Sequence, residues 1–99
     1  MDKVFIGTEL KFKLEIEASG FDMATDNFKV DLVCGKRTVT KTKDSMATDG
    51  EGNYFVCFDT ADLGVGKVTA VVTAYIPDAD FPDGLRTEVQ KLDIGTIRE

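Results

Sequence analysis

Residues 9–17 read ELKFKLEIE, and in that stretch Leu10, Phe12, Leu14 and Ile16 alternate without a break with Lys11, Lys13, Glu15 and Glu17. Successive side chains on a β-strand point to opposite faces, so a period of two sorts apolar residues onto one side and charges onto the other. On a helix the same four apolar residues would be scattered around the whole circumference. The stretch therefore predicts a strand with one dry and one wet face.

Upstream, Val4, Phe5 and Ile6 form a short apolar run that ends at Gly7. Residues 1–8 read either as a kinked first strand with Gly7 at the bend or as an arm that pairs with a neighbouring molecule. Downstream, residues 18–27 hold Gly, Asp and Asn without periodicity and read as a connection. Phe28, Val30, Leu32 and Cys34 then alternate with Lys29, Asp31 and Val33 as a second strand, with a turn at Gly35–Lys36. Residues 37–43, RTVTKTK, suit an exposed edge strand on which Lys36, Arg37, Lys41 and Lys43 guard against pairing.

Residues 44–53 carry the turn pairs Asp49–Gly50 and Gly52–Asn53 and read as a loop. A strand at 54–59 follows, then TADLGVG at 60–66, read as one helical turn capped by Thr60 and ended by Gly64 and Gly66. KVTAVVTAYI at 67–76 is the longest β-prone run and closes at Pro77. PDADFPDG is a loop, and 85–94 is the last strand. No stretch shows an amphipathic helix of useful length or an internal repeat. The sum is one all-β domain over residues 1–99 with about seven strands, spaced as in an antiparallel sandwich or barrel.

Two strands break the inside–outside rule. Tyr54, Val56 and Phe58 share one face, but Phe55 and Cys57 lie on the other. Val68, Ala70, Val72, Ala74 and Ile76 share a face, with Val71 and Tyr75 opposite. An antiparallel sheet commonly keeps one face wet. Phe55, Val71 and Tyr75, with Val4, Phe5 and Ile6, are therefore the candidate interface residues, to be covered by a partner or another copy. The alternative is ordinary scatter of apolar residues over a surface.

Composition narrows the chemistry. The formal net charge is −6, the wrong sign for neutralising nucleic-acid phosphates or anionic lipid. The chain has no His, which removes the commonest general base and the commonest transition-metal ligand together. No G-x-S-x-G elbow or Walker loop occurs, and 18 acidic residues make some carboxylate pair inevitable. The expectation is a protein that is not an enzyme, with no catalytic residue, cofactor, metal or small-molecule substrate.

Asp78, Asp80, Asp83 and Gly84 superficially match a calcium loop. The alternation breaks at Pro82, and Glu88 comes too early for the bidentate ligand, so a solvated turn is preferred. Asp44, Asp49 and Glu51 read as a second solvated acidic turn. Cys34 and Cys57 are either two buried free thiols or a disulfide joining two sheets. The N-terminal MDKVFIGTELKFK lacks the long apolar stretch of a leader or a membrane span, which predicts synthesis in the bacterial cytoplasm without a signal peptide.

The order of features carries a resemblance: IGTELKFKLEI, NFKVDLVCG, a Thr/Lys strand, DGEGNY leading into YFVCF, and TADLGVGK leading into a long strand. Over most of its length this resembles the immunoglobulin-like β-sandwich modules of tailed-phage virion proteins, such as the N-terminal domain of baseplate upper proteins. The chain departs from immunoglobulin subgroups in lacking a tyrosine corner, since Lys67 and Val68 follow Gly66, and in lacking the Cys–Trp–Cys core. The resemblance implies an immunoglobulin-like antiparallel sandwich acting as a structural or assembly protein of a virion, in contact with itself and other structural proteins. Two alternatives stand beside it. One is a loop-based adhesion or carbohydrate-recognition module using Phe21 or Phe81; the other is an accessory domain of a larger bacterial complex or enzyme.

Overall fold

The computed structural model describes residues 3–99. Eight strands follow in order: β1 (Lys3–Phe5), β2 (Glu9–Leu14), β3 (Phe28–Cys34), β4 (Arg37–Thr42), β5 (Ala47–Thr48), β6 (Tyr54–Asp59), β7 (Gly66–Pro77) and β8 (Leu85–Arg98). Single 3-10 turns occupy Lys43–Ser45 and Thr60–Asp62. One sheet has five strands in the order β1-β8-β7-β3-β4, and the other has three in the order β2-β6-β5. β1 joins β8 in parallel, and every other pairing is antiparallel. This is the strand arrangement of an immunoglobulin-like sandwich.

The core lies where period-two alternation from both sheets converges. β3 contributes Phe28, Val30 and Leu32, β7 contributes Val68, Ala70, Val72, Ala74 and Ile76, and β2 and β6 contribute Leu14, Val56 and Phe58, all buried. Register sets large against small: Phe28 lies opposite Ala74, and Leu32 opposite Ala70. Small residues on β7 thus leave volume for the large ones on β3, as close packing requires. Each large apolar side chain removed from water contributes about 1.5–3 kcal/mol. Phe28 is fully buried, in edge-to-face contact with Phe21 at 6.1 Å and Tyr54 at 5.2 Å between ring centroids.

The structure resolves the N-terminal alternatives. Val4–Ile6 follows the kinked-strand reading: Lys3–Phe5 pairs within its own molecule with Thr96–Arg98, and Val4 packs against the core. Met1 and Asp2, the start of the 1–8 segment, lie outside the described residues. Gly7, at φ 95°, makes the bend that carries the chain from one sheet to the other. Thr60 holds that bend. Its Oγ1 accepts the Gly7 N–H at 2.9 Å and donates to the Thr8 carbonyl at 2.8 Å, in a fully buried position. The helical-turn cap is therefore not Thr60 but Asp59, whose carboxylate accepts the Ala61 N–H at 2.9 Å.

Other boundaries also differ from the sequence reading. Residues 44–53 are not wholly loop, because Met46 is buried and pulls Ala47–Thr48 into a short edge strand beside β6. The last strand runs past residue 94 to Arg98, through a register shift opposite Val68/Thr69 that absorbs Ile94. β4 is an edge strand, as RTVTKTK predicts. Lys43 does not guard that edge. Its Nζ donates to the carbonyls of Ala24 at 3.2 Å and Asp26 at 3.0 Å and sits 5.5 Å from the Phe28 ring centroid. The cysteines are both free, with Cys34 buried and Cys57 exposed, so neither an inter-sheet disulfide nor a pair of buried thiols describes them.

Candidate interaction surfaces

The six candidate interface residues do not form one surface. Val71 and Tyr75 project from the outer face of the five-stranded sheet, because their neighbours Val72, Ala74 and Ile76 face the core. Phe55 projects from the outer face of the three-stranded sheet, on the far side of the sandwich, since Val56 and Phe58 face inward. Val4 is half-buried against the core, whereas Phe5 and Ile6 are 68% and 41% exposed.

The surroundings of these residues differ. Phe55 has Lys13 and Ala47 as register partners, and the Lys11 ammonium sits 4.6 Å from its ring centroid. The ring is thus partly covered by its own molecule through a cation–π contact. Val71 lies between Asp31 on β3 and Lys91 on β8. Tyr75 lies opposite Thr87, in the part of the β7–β8 hairpin where Leu85 and Val89 also reach the outer face. Leu85 is 40% and Val89 54% exposed. Sequence reading missed these two. Their alternation with Arg86, Glu88 and Gln90 was the available signal, weakened by the polar residues on both faces of β8.

A depression of about 400 Å³ is lined by Glu9, Leu10, Lys11, Lys41, Cys57 and Asp59. Its thiol has no imidazole to activate it in a chain without His. Glu9 and Asp59 are direct cross-strand partners, and the Asp59 carboxylate already caps the following turn. A smaller cleft of about 240 Å³, lined by Leu10, Phe12, Asp93 and Ile94, opens between β2 and β8.

The acidic loops have structural roles. Asp78 accepts the Asp80 N–H at 3.0 Å through one oxygen and the Arg86 Nε–H at 3.3 Å through the other, while Asp83 accepts the Leu85 N–H at 3.1 Å. These carboxylates close turns separately rather than converging, and among the described residues no group of three or more acidic or Cys side chains is placed to hold a metal. Asp49 accepts from the Asn53 amide at 2.7 Å and the Glu51 N–H at 2.8 Å. Those bonds, the Asn53 one foremost, hold its carboxyl below its ordinary pKa. Phe21 is packed on Phe28, which leaves Phe81, 43% exposed at the β7–β8 hairpin tip, as the loop aromatic facing solvent among the two considered for ligand recognition. Among the described residues no helix is long and apolar enough to cross a membrane.

No family model matches this sequence, and no curated relative matches it. Among solved structures, the chain is similar to part of a candidate glycoside hydrolase from Bacteroides vulgatus, with a TM-score of 0.52 and 18% identity. The similarity covers 98% of this chain and 16% of that protein. At this identity the likeness is one of fold.

Proposed function

We propose that this chain is a non-catalytic structural domain that works by protein–protein contact, with itself or with other structural proteins, as a component of a phage or prophage particle. The observation that supports the contact role best is the long strand β8. Among the described residues it leaves most of one side without a backbone partner, and it carries exposed Leu85 and Val89 beside half-buried Tyr75. Free strand edges next to apolar side chains are where strand-adding partners bind. The net charge of −6 disfavours nucleic acid and anionic membrane as the partner. The phage assignment rests on the resemblance of strand and turn order. Mass spectrometry of particles or complexes purified from the native host tests both parts. The chain is expected in a stoichiometric assembly, and recovery only as a free protein with turnover that survives purification would refute the reading.

A second reading is an accessory domain of a larger bacterial enzyme or complex. It is favoured by the match in which nearly the whole chain corresponds to a small part of a candidate glycoside hydrolase. An immunoblot of native lysate separates the two. A band at the mass of this chain supports the structural protein, and a band several times heavier supports the accessory domain.

A further inference from the structure

β8 is paired along one side with β7 from Leu85 to Ile97, interrupted at Ile94, but among the described residues its other side meets β1 only at Thr96–Arg98. From Leu85 to Ile94 that other side has no backbone partner among the described residues. Residues of an antiparallel strand direct their N–H and C=O alternately to the two neighbours. Tyr75 donates its N–H to the Asn27 carbonyl at 3.0 Å, away from β8. Its register partner Thr87 therefore turns its own N–H and C=O outward, and Leu85, Val89 and Lys91 do the same by alternation. The Leu85 N–H is capped by Asp83 at 3.1 Å. Thr87, Val89 and Lys91 keep free outward donors.

We propose that this edge pairs with β8 of a second copy of the chain, antiparallel, about a twofold axis through Thr87, joining the two five-stranded sheets into one. The proposal rests on the reading of the chain as an assembly domain and names its partner. A twofold contact must be complementary to itself, and among the registers centred from Arg86 to Gln90 the sequence of β8 meets that condition in one. Centred on Thr87, it sets Leu85 against Val89 and Arg86 against Glu88, each pair occurring twice. Centred on Glu88 or Arg86, it opposes like charges. Centred on Val89, it sets Leu85 against Asp93 and Arg86 against Leu92. Centred on Gln90, it sets Val89 against Lys91 and Glu88 against Leu92. Directly opposite residues in an antiparallel pair interact strongly enough for such matches to select register.

Two further features fit this arrangement. Glu88 Oε2 is buried with no hydrogen-bond partner, and an Arg86 from a second copy would lie directly across from it. Arg86 uses its Nε for Asp78 and one Nη for the Ser19 carbonyl, which leaves other guanidinium N–H groups to donate. On the outer face, Leu85 and Val89 would cover one another across the axis, with Tyr75 beside Thr87 in each copy. Charges on an edge strand usually oppose pairing; among the registers centred from Arg86 to Gln90 they oppose all but the one on Thr87.

Light scattering on the purified chain and two variants tests the proposal. The parent is expected at twice the chain mass. Thr87→Pro removes an outward N–H without touching the β7 ladder and is expected to be monomeric with an unchanged circular dichroism spectrum. Thr87→Cys in a Cys57→Ser background is expected to oxidise to a covalent dimer, because paired residues at the axis sit within disulfide reach. This second variant decides the matter if the proline variant does not fold. A parent that stays monomeric as concentration rises overturns the proposal, and so does a dimer that persists in Thr87→Pro or fails to cross-link at residue 87. A monomeric parent that is nonetheless found in a native assembly sinks the edge pairing and leaves the structural role standing. Absence from every assembly sinks both.

Discussion

The outer faces of the two sheets look alike in the sequence and differ in the structure. Each carries aromatic or branched side chains where an antiparallel sheet is usually polar. On the three-stranded sheet the half-buried ring of Phe55 is partly covered by Lys11 of the next strand. On the five-stranded sheet, Tyr75 lies beside β8, which carries Leu85 and Val89 and whose backbone from Leu85 to Ile94 is unpaired on its far side among the described residues. An apolar side chain on a sheet face is therefore weak evidence of a docking surface by itself. It becomes stronger where the same residues border open hydrogen-bonding groups, because a partner can then satisfy backbone and side chains together.

The largest effect expected from breaking this picture lies in the core that both sheets share. Phe28→Ala removes a fully buried ring and should cost about 3–5 kcal/mol. The two tyrosines report on the two sheets separately, Tyr54 on β6 and Tyr75 on β7. Their near-ultraviolet signals should melt together at the same lowered denaturant midpoint. Separate transitions would mean that the sheets are independent units. Next in size is Thr60→Val, which strips the sheet-crossing bend of two buried hydrogen bonds. A loss of about 1–3 kcal/mol is expected, read by urea denaturation, and a neutral result would show that backbone pairing alone fixes the bend.

A matched pair of substitutions sharpens the contrast between the faces. Phe55→Ala should lose about 0.5–1 kcal/mol of cation–π stabilisation and leave the oligomeric state unchanged. Tyr75→Ser should weaken self-association measured by sedimentation. Identical behaviour of the two variants would erase the distinction. The smallest effect concerns Asp49. Its pKa is lowered on folding, so its contribution is present above the ordinary carboxylate value and fades as pH falls through the lowered folded value. Asn53→Ala removes the main cause, and its melting temperature should show a slightly shallower fall on acidification than that of the parent.

Much of the sandwich was legible because one face of each strand had to be dry. ELKFKLEIE, FKVDLVC and KVTAVVTAYI supplied β2, β3 and β7 with the predicted faces inward, although β2 ends at Leu14 and leaves the buried Ile16 beyond it. The short strand at Ala47–Thr48 was not legible, because two residues carry no periodicity and its placement follows from burial of the adjacent Met46. The extension of β8 to Arg98 was hidden by Gly95, a residue that usually ends a strand but here sits beside the register shift. The candidate interface was half legible: the unusual residues were visible, but not that Phe55 and Tyr75 would lie on opposite sides of the molecule.

The amino-acid order alone settled which side chains turn inward along β2, β3, β6 and β7, since there it depends only on a clear alternation along the chain. It also settled that the proton-transferring and metal-binding work of histidine is closed to this protein. Which strands became neighbours, and hence which edge was left open, was decided by the sheets as they assembled. Among the described residues β1 meets β8 at Thr96–Arg98 alone, and a backbone group is free or paired only relative to a strand that is distant in sequence. Contacts between such strands depend on the whole core closing at once, and no local pattern encodes them.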